Sequence, residues 1–532
     1  MTTAELDAAL AASLCTVDAM GRLIHPGLPV VWGIAVGTSM AIVCAWAIMA
    51  PAVNESRQTQ HFNLAAVPRV GDFIRYITSH AWFLLVLKLV FVALFLLIIV
   101  AGLYGTPIAE RNAATVLTWN LWWAGLVISV FFLGSAWCAV CPWDTLATVF
   151  VRRRRLWGKV RPETSLNLRV PGYLRTVWPA LILLVGLTWL ELGAGVTVSP
   201  YATAGLALTM VVLATLSLAV FERKAFCRYF CPVGRTVGCY SQLAPVEIRP
   251  ADPSICASCT TLDCYYGNDT VEPCPTHLVM GRLKQNTYCT SCGNCARSCP
   301  YENVAWRLRS PSSEAIQDAR PHWDEAWFML GLLALTGFHG LTMMGFWEDW
   351  MRDFGLAIGD SGQMLWSFTI GFGVSLIIPV ALFAAVVWVT GRMNNTSIGF
   401  RKLLSQFAFA ALPLAFAYHI AHNLNHLVLE SGGLGKILAN PLGEGTLPLS
   451  LLEKQIRGVD MVVSQETLNV LQAGLMAFGF LIAVRVILRR AAILVPQGYQ
   501  LQFWPSSPIL LFAVAMTAYH VWLLMQPMVM RF

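Results

Sequence analysis

AWFLLVLKLVFVALFLLIIVAGLY, residues Ala81–Tyr104, carries a single charged side chain, Lys88. A helix this long rises about 36 Å, against a bilayer core of about 30 Å. Lys88 lies near one end, where its aliphatic stem lets the ammonium reach the surface. The stretch therefore reads as a membrane span, and the rest of the chain has the same character. Of 532 residues, 57% are hydrophobic and only 12% charged, with a mean hydropathy of +0.61. That composition excludes an ordinary soluble enzyme. The net charge of +7 does not point to nucleic acid, because the basic residues fall in short loops between apolar runs.

Nine further apolar stretches are long enough, or nearly so, to cross a bilayer: Val30–Ala50, Val116–Trp137, Val177–Ala194, Ala202–Phe221, Ala326–Phe346, Met364–Val389, Phe407–Leu429, Leu468–Ile487 and Ile509–Met525. With ten spans, four basic loops fall on one side: Val151–Arg161, Phe221–Lys224, Gly391–Lys402 and Arg485–Arg490. The acidic loop Trp347–Asp360 falls on the other. The positive-inside rule places the basic side in the cytoplasm and both termini outside. The N-terminal stretch is acidic and has no basic-then-apolar signal pattern, so no cleavable signal peptide is expected there.

One sizeable soluble stretch, 222–325, interrupts the spans and holds eight of the 15 cysteines. YCTSCGNCARSCP, Tyr288–Pro300, has the CxxCxxCxxxCP spacing of a bacterial iron–sulfur ligand run. CASCTTLDC, followed by a later Cys-Pro, supplies a second set. In two-cluster ferredoxins the fourth cysteine of each run crosses to the other cluster. On that rule Cys256, Cys259, Cys264 and Cys299 hold one [4Fe–4S] cube, and Cys289, Cys292, Cys295 and Cys274 hold the other. The first run is stretched, with four residues between Cys259 and Cys264 and ten positions between Cys264 and Cys274. Zinc knuckles are the competing reading of CxxC pairs, but the full spacing favours iron–sulfur. Tight cysteine runs that stay reduced fit a cytoplasmic face.

A second cysteine family sits at span edges. WCAVCPWD gives Cys138 and Cys141; FCRYFCPVGR gives Cys227 and Cys231. Both pairs fall at the same depth on the basic side. Three readings stay open: a further metal or cluster, a redox-active dithiol, or plain helix capping. Cys239 is a candidate fifth partner; Cys15 and Cys44 carry no signal.

These edge Cys-Pro motifs followed by the two cluster runs resemble the NosR/NapH group of membrane polyferredoxins and, more distantly, CcoG. The resemblance covers about Ala81–Ser310. It implies electron movement between the quinone pool and periplasmic redox enzymes, in the manner of a quinol-dehydrogenase-like oxidoreductase subunit, or support for maturation of those enzymes' metal centres. The chain departs from the group in its first edge motif (CxxCP where CxxxCP is usual), in lacking a periplasmic flavin domain, and in carrying five further helices.

Those last helices hold His339, His419, His422, His426 and His520 within spans. Intramembrane polar residues are costly and mark pathways or cofactors. His339, His419 and His520 are expected at one level near mid-membrane, with His422 and His426 continuing a stripe from His419 toward the outer face. The open readings are axial ligation of a b-type haem, copper or iron binding helped by Met343, Met344, Met525 and Met528, and interhelical hydrogen bonding or a quinone pocket. His25, His61, His80, His277 and His322 are expected to be solvated loop residues.

The expected fold is an all-α polytopic membrane protein of about ten transmembrane helices with a cytoplasmic, ferredoxin-like two-[4Fe–4S] insert. It divides into an outer tail (1–29), a five-helix core (30–221), the insert (222–325) and a five-helix histidine-bearing domain (326–532). The function expected is electron relay in a bacterial inner membrane between the clusters and a quinone, haem or metal site, serving a periplasmic redox enzyme or cytochrome. The alternative is a maturation protein that reduces copper or iron for a partner. Lipid and the quinone pool are the expected surroundings, and no nucleic acid is involved.

Overall fold

The computed structural model describes residues 16–17, 21–49, 61–63, 67–152, 165–430, 433–457, 463–494 and 503–529. Among these, eight helices are long and apolar enough to cross a membrane: Val30–Met49, Trp82–Tyr104, Ala113–Leu133, Pro200–Val220, Leu365–Met393, Phe400–Val428, Gln465–Leu494 and Phe503–Met525. Helix is the form that satisfies every backbone donor and acceptor within the segment, as lipid requires. Local signals set the starts. Ser199 accepts from the Ala202 N–H ahead of Pro200, and Ser464 accepts from the Thr467 N–H, as N-cap chemistry predicts.

Two of the ten expected spans need correction. Trp178–Gly193 has 16 residues, a rise of about 24 Å, too short to cross the hydrocarbon alone. Trp323–Leu341 opens with Trp-Asp-Glu, which shortens its apolar length. It also stops five residues before the expected Phe346, because the chain turns and starts a new helix, Gly345–Ile358. The segment expected as an acidic loop is thus mostly helix, with Trp347 buried beneath it.

The helices divide by exposure. In Trp82–Tyr104 only 11% of the apolar stretch is buried, and in Leu365–Met393 17%, whereas in Phe400–Val428 94% is buried. Phe400–Val428 is the central pillar, and the first two face lipid. Gly479 lets Gln465–Leu494 close onto Ala417 of the pillar, and Gly340 of Trp323–Leu341 makes room for the Tyr418 hydroxyl. Small residues at crossings are how membrane helices gain close packing.

Two three-stranded antiparallel sheets stand at opposite ends of Val30–Met49, whose 20 residues span about 30 Å. In one, Leu23–His25 lies between Thr16–Val17 and Met528–Val529, with His25 opposite Met528. In the other, Val304–Arg309 lies between His61–Asn63 and Val246–Pro250. Residues near both ends of the sequence therefore share one side of the bundle, as an even number of crossings requires. The insert is not built from 222–325 alone, since His61–Asn63 adds a strand to it.

At the insert end, Arg490 donates to the carbonyls of Ala315 (2.7 Å) and Ala319 (3.2 Å), and Arg401 lies over Trp323. At the other end, Glu348 of the acidic segment pairs with Arg22 at 2.7 Å. Most of the first basic loop, 153–164, and Cys15 lie outside the described residues.

The insert is held together internally by buried ions. Glu314 accepts from Arg249 (2.6 Å) and from Arg309, while Glu247 takes Arg307 (2.9 Å) and Arg309 (3.3 Å). Glu314 also accepts the Asn286 N–H at 3.0 Å, and the Asn286 carbonyl accepts the Cys289 N–H at 2.8 Å. One buried carboxylate thus positions the start of the second cysteine run. Neither glutamate stood out in the sequence, because their partners come from segments far away along the chain.

Candidate functional site

The short helices of the insert are too brief to be stable alone, and loop geometry does the positioning. Leu262, His277, Ser291 and Glu302 all have positive φ, an uncommon conformation for side-chain-bearing residues. Each lies within three positions of a run cysteine. These left-handed residues curl the loops so that N–H groups face sulfur. Leu278 donates to Cys274 Sγ (3.3 Å), Ser291 to Cys289 Sγ (3.4 Å) and Asn303 to Cys299 Sγ (3.4 Å). The Asn303 side-chain amide reaches Cys256 Sγ at 3.5 Å. Gly281 allows close approach, since a Cβ there would sit 2.7 Å from Cys256 Cβ.

Both crossed quartets gather. Cys256, Cys259, Cys264 and Cys299 line one cavity of about 330 Å³, with Met280 and Asn303. Burial lifts the Cys264 thiol above its ordinary range, and neighbouring Cys256, Cys259 and Cys299 add to the rise. Cys259, at the exposed rim, is held lower by the Leu262 N–H and the Thr261 hydroxyl. In the second set, burial pushes Cys289 up to about 12, with Cys292 and Cys274 contributing. Cys295 is raised by burial and then by Cys292, Cys289 and Cys274, and it also feels Cys264 of the first set. The two quartets are therefore adjacent. Buried thiols of this kind are deprotonated on metal coordination.

Among the described residues, no three Cys, His, Asp or Glu side chains close on a point as a single metal ion demands. Zinc at about 2.3 Å from each sulfur would draw four thiolates to within about 4 Å of one another. A core of several irons and sulfides is wider and holds its thiolates farther apart, and the donor set of the first quartet, four thiols on one cavity with inward N–H groups, fits it.

The edge motifs also meet. In both, the cysteine before proline precedes a new helix, Pro142–Arg152 and Pro232–Tyr240. Proline suits the first helical turn and keeps the residue before it extended. Cys231 Sγ accepts the Gly234 N–H at 3.2 Å. Cys227 lies in a π-helical turn, Phe226–Phe230. Cys141 and Cys231 are buried in one apolar cluster with Trp143 and Phe226. Burial raises the Cys141 and Cys227 thiols, with Asp144 and the other edge sulfurs adding. Asp144 is bonded by Lys224 Nζ at 2.5 Å. Cys239 is buried in the main core, against which Cys138 also packs.

The edge site touches both neighbours. Ser135 and Ser291 hydroxyls are 2.9 Å apart, which ties the third span to the second cysteine run, and Cys138 feels Cys289. Inward, Trp137, Trp122, Trp123 and His419 follow one another at ring separations of 5.7, 5.8 and 5.7 Å.

The histidines are grouped differently from the expected stripe. His422 and His426 are ring neighbours at 5.2 Å, and His339 meets His422 at 5.2 Å. His520 stacks on Tyr418 at 4.3 Å. His419 instead turns to the insert side, where its Nδ1 is hydrogen-bonded to the Tyr240 hydroxyl at 3.1 Å. Asn423, Asn425 and Gln472 add buried polarity; Gln472 donates to Asn425 at 2.9 Å. No signal of spacing marked Tyr240 or Tyr418, although Asn423 and Asn425 were visible as polar residues inside a span.

His25 corrects the expectation of solvated loop residues, while His61 is exposed but sits in a strand and not a loop. His25 is 1% exposed, its Nε2 lies 3.3 Å from Gln465 Oε1, and its Nδ1 accepts the Gly27 N–H. Burial lowers its affinity for a proton, and His426 is close enough to lower it further. It is buried because Leu23–His25 becomes the middle strand of a sheet. His61 pairs with Glu247 at 3.1 Å. His277 is half-buried, with burial and then Arg223 lowering it to about 4.

No family model matches the chain, and no solved structure matches it. Two proteins are similar over part of it. One is "Putative electron transport protein YccM" of Escherichia coli (strain K12), 30% identical over 149 residues, which are 27% of this chain and 39% of YccM. The other is "Uncharacterized protein MJ0749" of Methanocaldococcus jannaschii, 23% identical over 193 residues, 36% of this chain and 70% of that protein. The chain thus spans well under half the length of YccM, and membrane helices with a gathered cysteine insert are what stand on the chain's own structure.

Proposed function

We propose that this chain is a membrane electron carrier in which Cys256, Cys259, Cys264 and Cys299, and Cys289, Cys292, Cys295 and Cys274, each hold a [4Fe–4S] cluster. The observation that carries the reading is the crossed gathering: thiols 43 positions apart, Cys256 and Cys299, line one cavity. The similarity to YccM supports electron transport in general. Bound clusters supply one-electron transfer. The protein's own part is to bury the second quartet, leave Cys259 at the surface, and direct N–H donors at sulfur, which favours the more negative state. The route away from the clusters leads past the edge cysteines and Trp122–Trp123 to His419, and so to a quinone, b-type haem or metal site among His339, His422, His426 and His520. The insert and basic residues face the cytoplasm of a bacterial inner membrane, and the far side serves a periplasmic redox enzyme or cytochrome, as an oxidoreductase subunit of the quinol-dehydrogenase kind would.

A second reading, reduction of copper for a partner metalloenzyme, draws on one observation. Met344 and Met528 are buried and paired through their backbones, His25 is the strand partner of Met528, and Asn425 donates to the Met528 thioether at 3.7 Å; thioether and imidazole are Cu(I) ligands.

The test is iron, sulfide, copper and haem analysis with EPR on chain purified without oxygen. About eight irons and eight sulfides per chain with cubane EPR signals are expected; zinc without sulfide would refute the reading. A Soret band that shifts with dithionite selects haem, and stoichiometric copper selects the second reading.

A further inference from the structure

We propose that Cys138, Cys141, Cys227 and Cys231 hold a third iron–sulfur cluster at the membrane edge, in addition to the two of the insert. Two segments about ninety residues apart each bring a Cys-Pro pair to the same buried point. Cys141 has Cys227 and Cys231 as neighbours, and Cys138 has Cys231. Capping alone does not call for this. Oxygen side chains cap helices better, and capping two helices would not draw four sulfurs together.

The charges around the thiols ask for an anion. Two helix N-termini, of Pro142–Arg152 and Pro232–Tyr240, open at the site, and each contributes partial positive charge. Arg235, 2% exposed, reaches into it, with Nη2 donating to the Cys227 carbonyl at 3.1 Å. Among the described residues its Nε and Nη1 have no hydrogen-bond partner, a costly state for a buried cation. The nearby carboxylates accept from other groups: Asp144 from Lys224 at 2.5 Å, and Glu325 from the Tyr288 hydroxyl at 2.6 Å. Four neutral thiols leave the two Arg235 donors unanswered. An iron–sulfur core on four thiolates has a net negative charge and accepts hydrogen bonds at sulfur, so it answers both the charge and the unpartnered donors. The site lies between the second quartet, through Ser135 and Ser291, and Trp137, so a centre here shortens the passage toward His419.

The proposal adds to the two-cluster reading without depending on it, and iron counting separates the two. In the unaltered chain, purified without oxygen, we expect about ten to twelve irons per chain, against about eight for the insert alone. Cys141→Ser with Cys231→Ser should remove only the excess iron and leave both insert EPR signals at full intensity. A chain in which Cys259→Ser and Cys292→Ser have emptied the insert should keep one cluster's worth of iron. Arg235→Lys should keep the iron and lower the midpoint potential of the edge signal alone, because a point charge replaces a donor fork. About eight irons in the unaltered chain would overturn the proposal without needing any variant. So would zinc at the site, or a disulfide among these four cysteines recovered from the oxygen-free preparation by mass spectrometry.

Discussion

The cysteine insert and the histidine helix both gather chemistry-bearing side chains, yet by opposite means. In the insert, each run is local, and left-handed residues such as Leu262 and Ser291 bend short loops around their own sulfurs. The only long-range step is the crossing of the fourth cysteine. In the histidine region, Phe400–Val428 is a rigid pillar, 94% of its apolar stretch buried, and its neighbours decide which imidazoles meet. His422 finds His339 on another helix, while His419 finds Tyr240 from the far side of the insert. Loops make a site from spacing; helices make one from packing. The first can be read along the chain, and the second cannot.

That contrast can be broken most sharply at the clusters. Cys292→Ser should cost one whole cubane, about four irons, with the other quartet's EPR signal retained; if both signals vanish together, the quartets are one cooperative unit and not two local ones. His520→Phe probes the helix side. His520 is fully buried on Tyr418, with neither ring nitrogen hydrogen-bonded among the described residues. If its role is only packing, phenylalanine is neutral or stabilising. We expect thermal stability in detergent to hold while electron delivery from quinol or dithionite to an added acceptor falls at least tenfold, an order-of-magnitude figure for losing one polar group from such a path. Unchanged delivery would leave the imidazole without a redox part.

Glu314→Ala tests how far the second quartet depends on the insert's own ion network. Removing one partner of a buried ion network costs on the order of 3–5 kcal/mol, here by stranding Arg249 and Arg309. The second quartet should loosen before the first, seen as faster iron release to a chelator, because Asn286 and Cys289 lose their anchor. Equal release from both would place the anchor elsewhere.

The smallest effect is expected at the surface. Glu453 accepts from Arg111 Nη2 at 2.9 and 3.0 Å, and this bond with the Ser450 N–H lowers its pKa from 4.5 to about 2. A depressed carboxyl stabilises above its unfolded pKa, so the contribution is complete above about pH 4.5 and fades as pH falls toward 2. Exposed pairs are screened, so Glu453→Gln should cost under about 1 kcal/mol, and the difference in melting temperature between the two proteins should shrink through that pH window.

Much of the fold was legible because lipid is a demanding solvent. A run such as Ala81–Tyr104 has no other stable form, and eight of the ten expected spans are long and apolar enough to stand. The two corrected ones failed at their ends, where Trp323-Asp324-Glu325 and the turn before Gly345 reflect packing and not hydropathy. At the site, spacing and depth anticipated that the edge pairs meet, and they singled out the eight run cysteines, whose ligand role belongs to the proposal. Arg235, Glu314 and His25 could not, since each owes its role to a partner tens or hundreds of positions away.

The sequence by itself determined that the chain enters lipid as helices and that its thiols come in sets of four, because hydropathy and ligand spacing act over a few turns of chain. Tertiary structure alone decided that Met528 comes to lie beside His25, that one glutamate ties the start of a cysteine run to two distant arginines' network, and that His419 faces Tyr240. Those pairings depend on which faces of distant helices exclude lipid from one another, and close packing in three dimensions, not order along the chain, settles that.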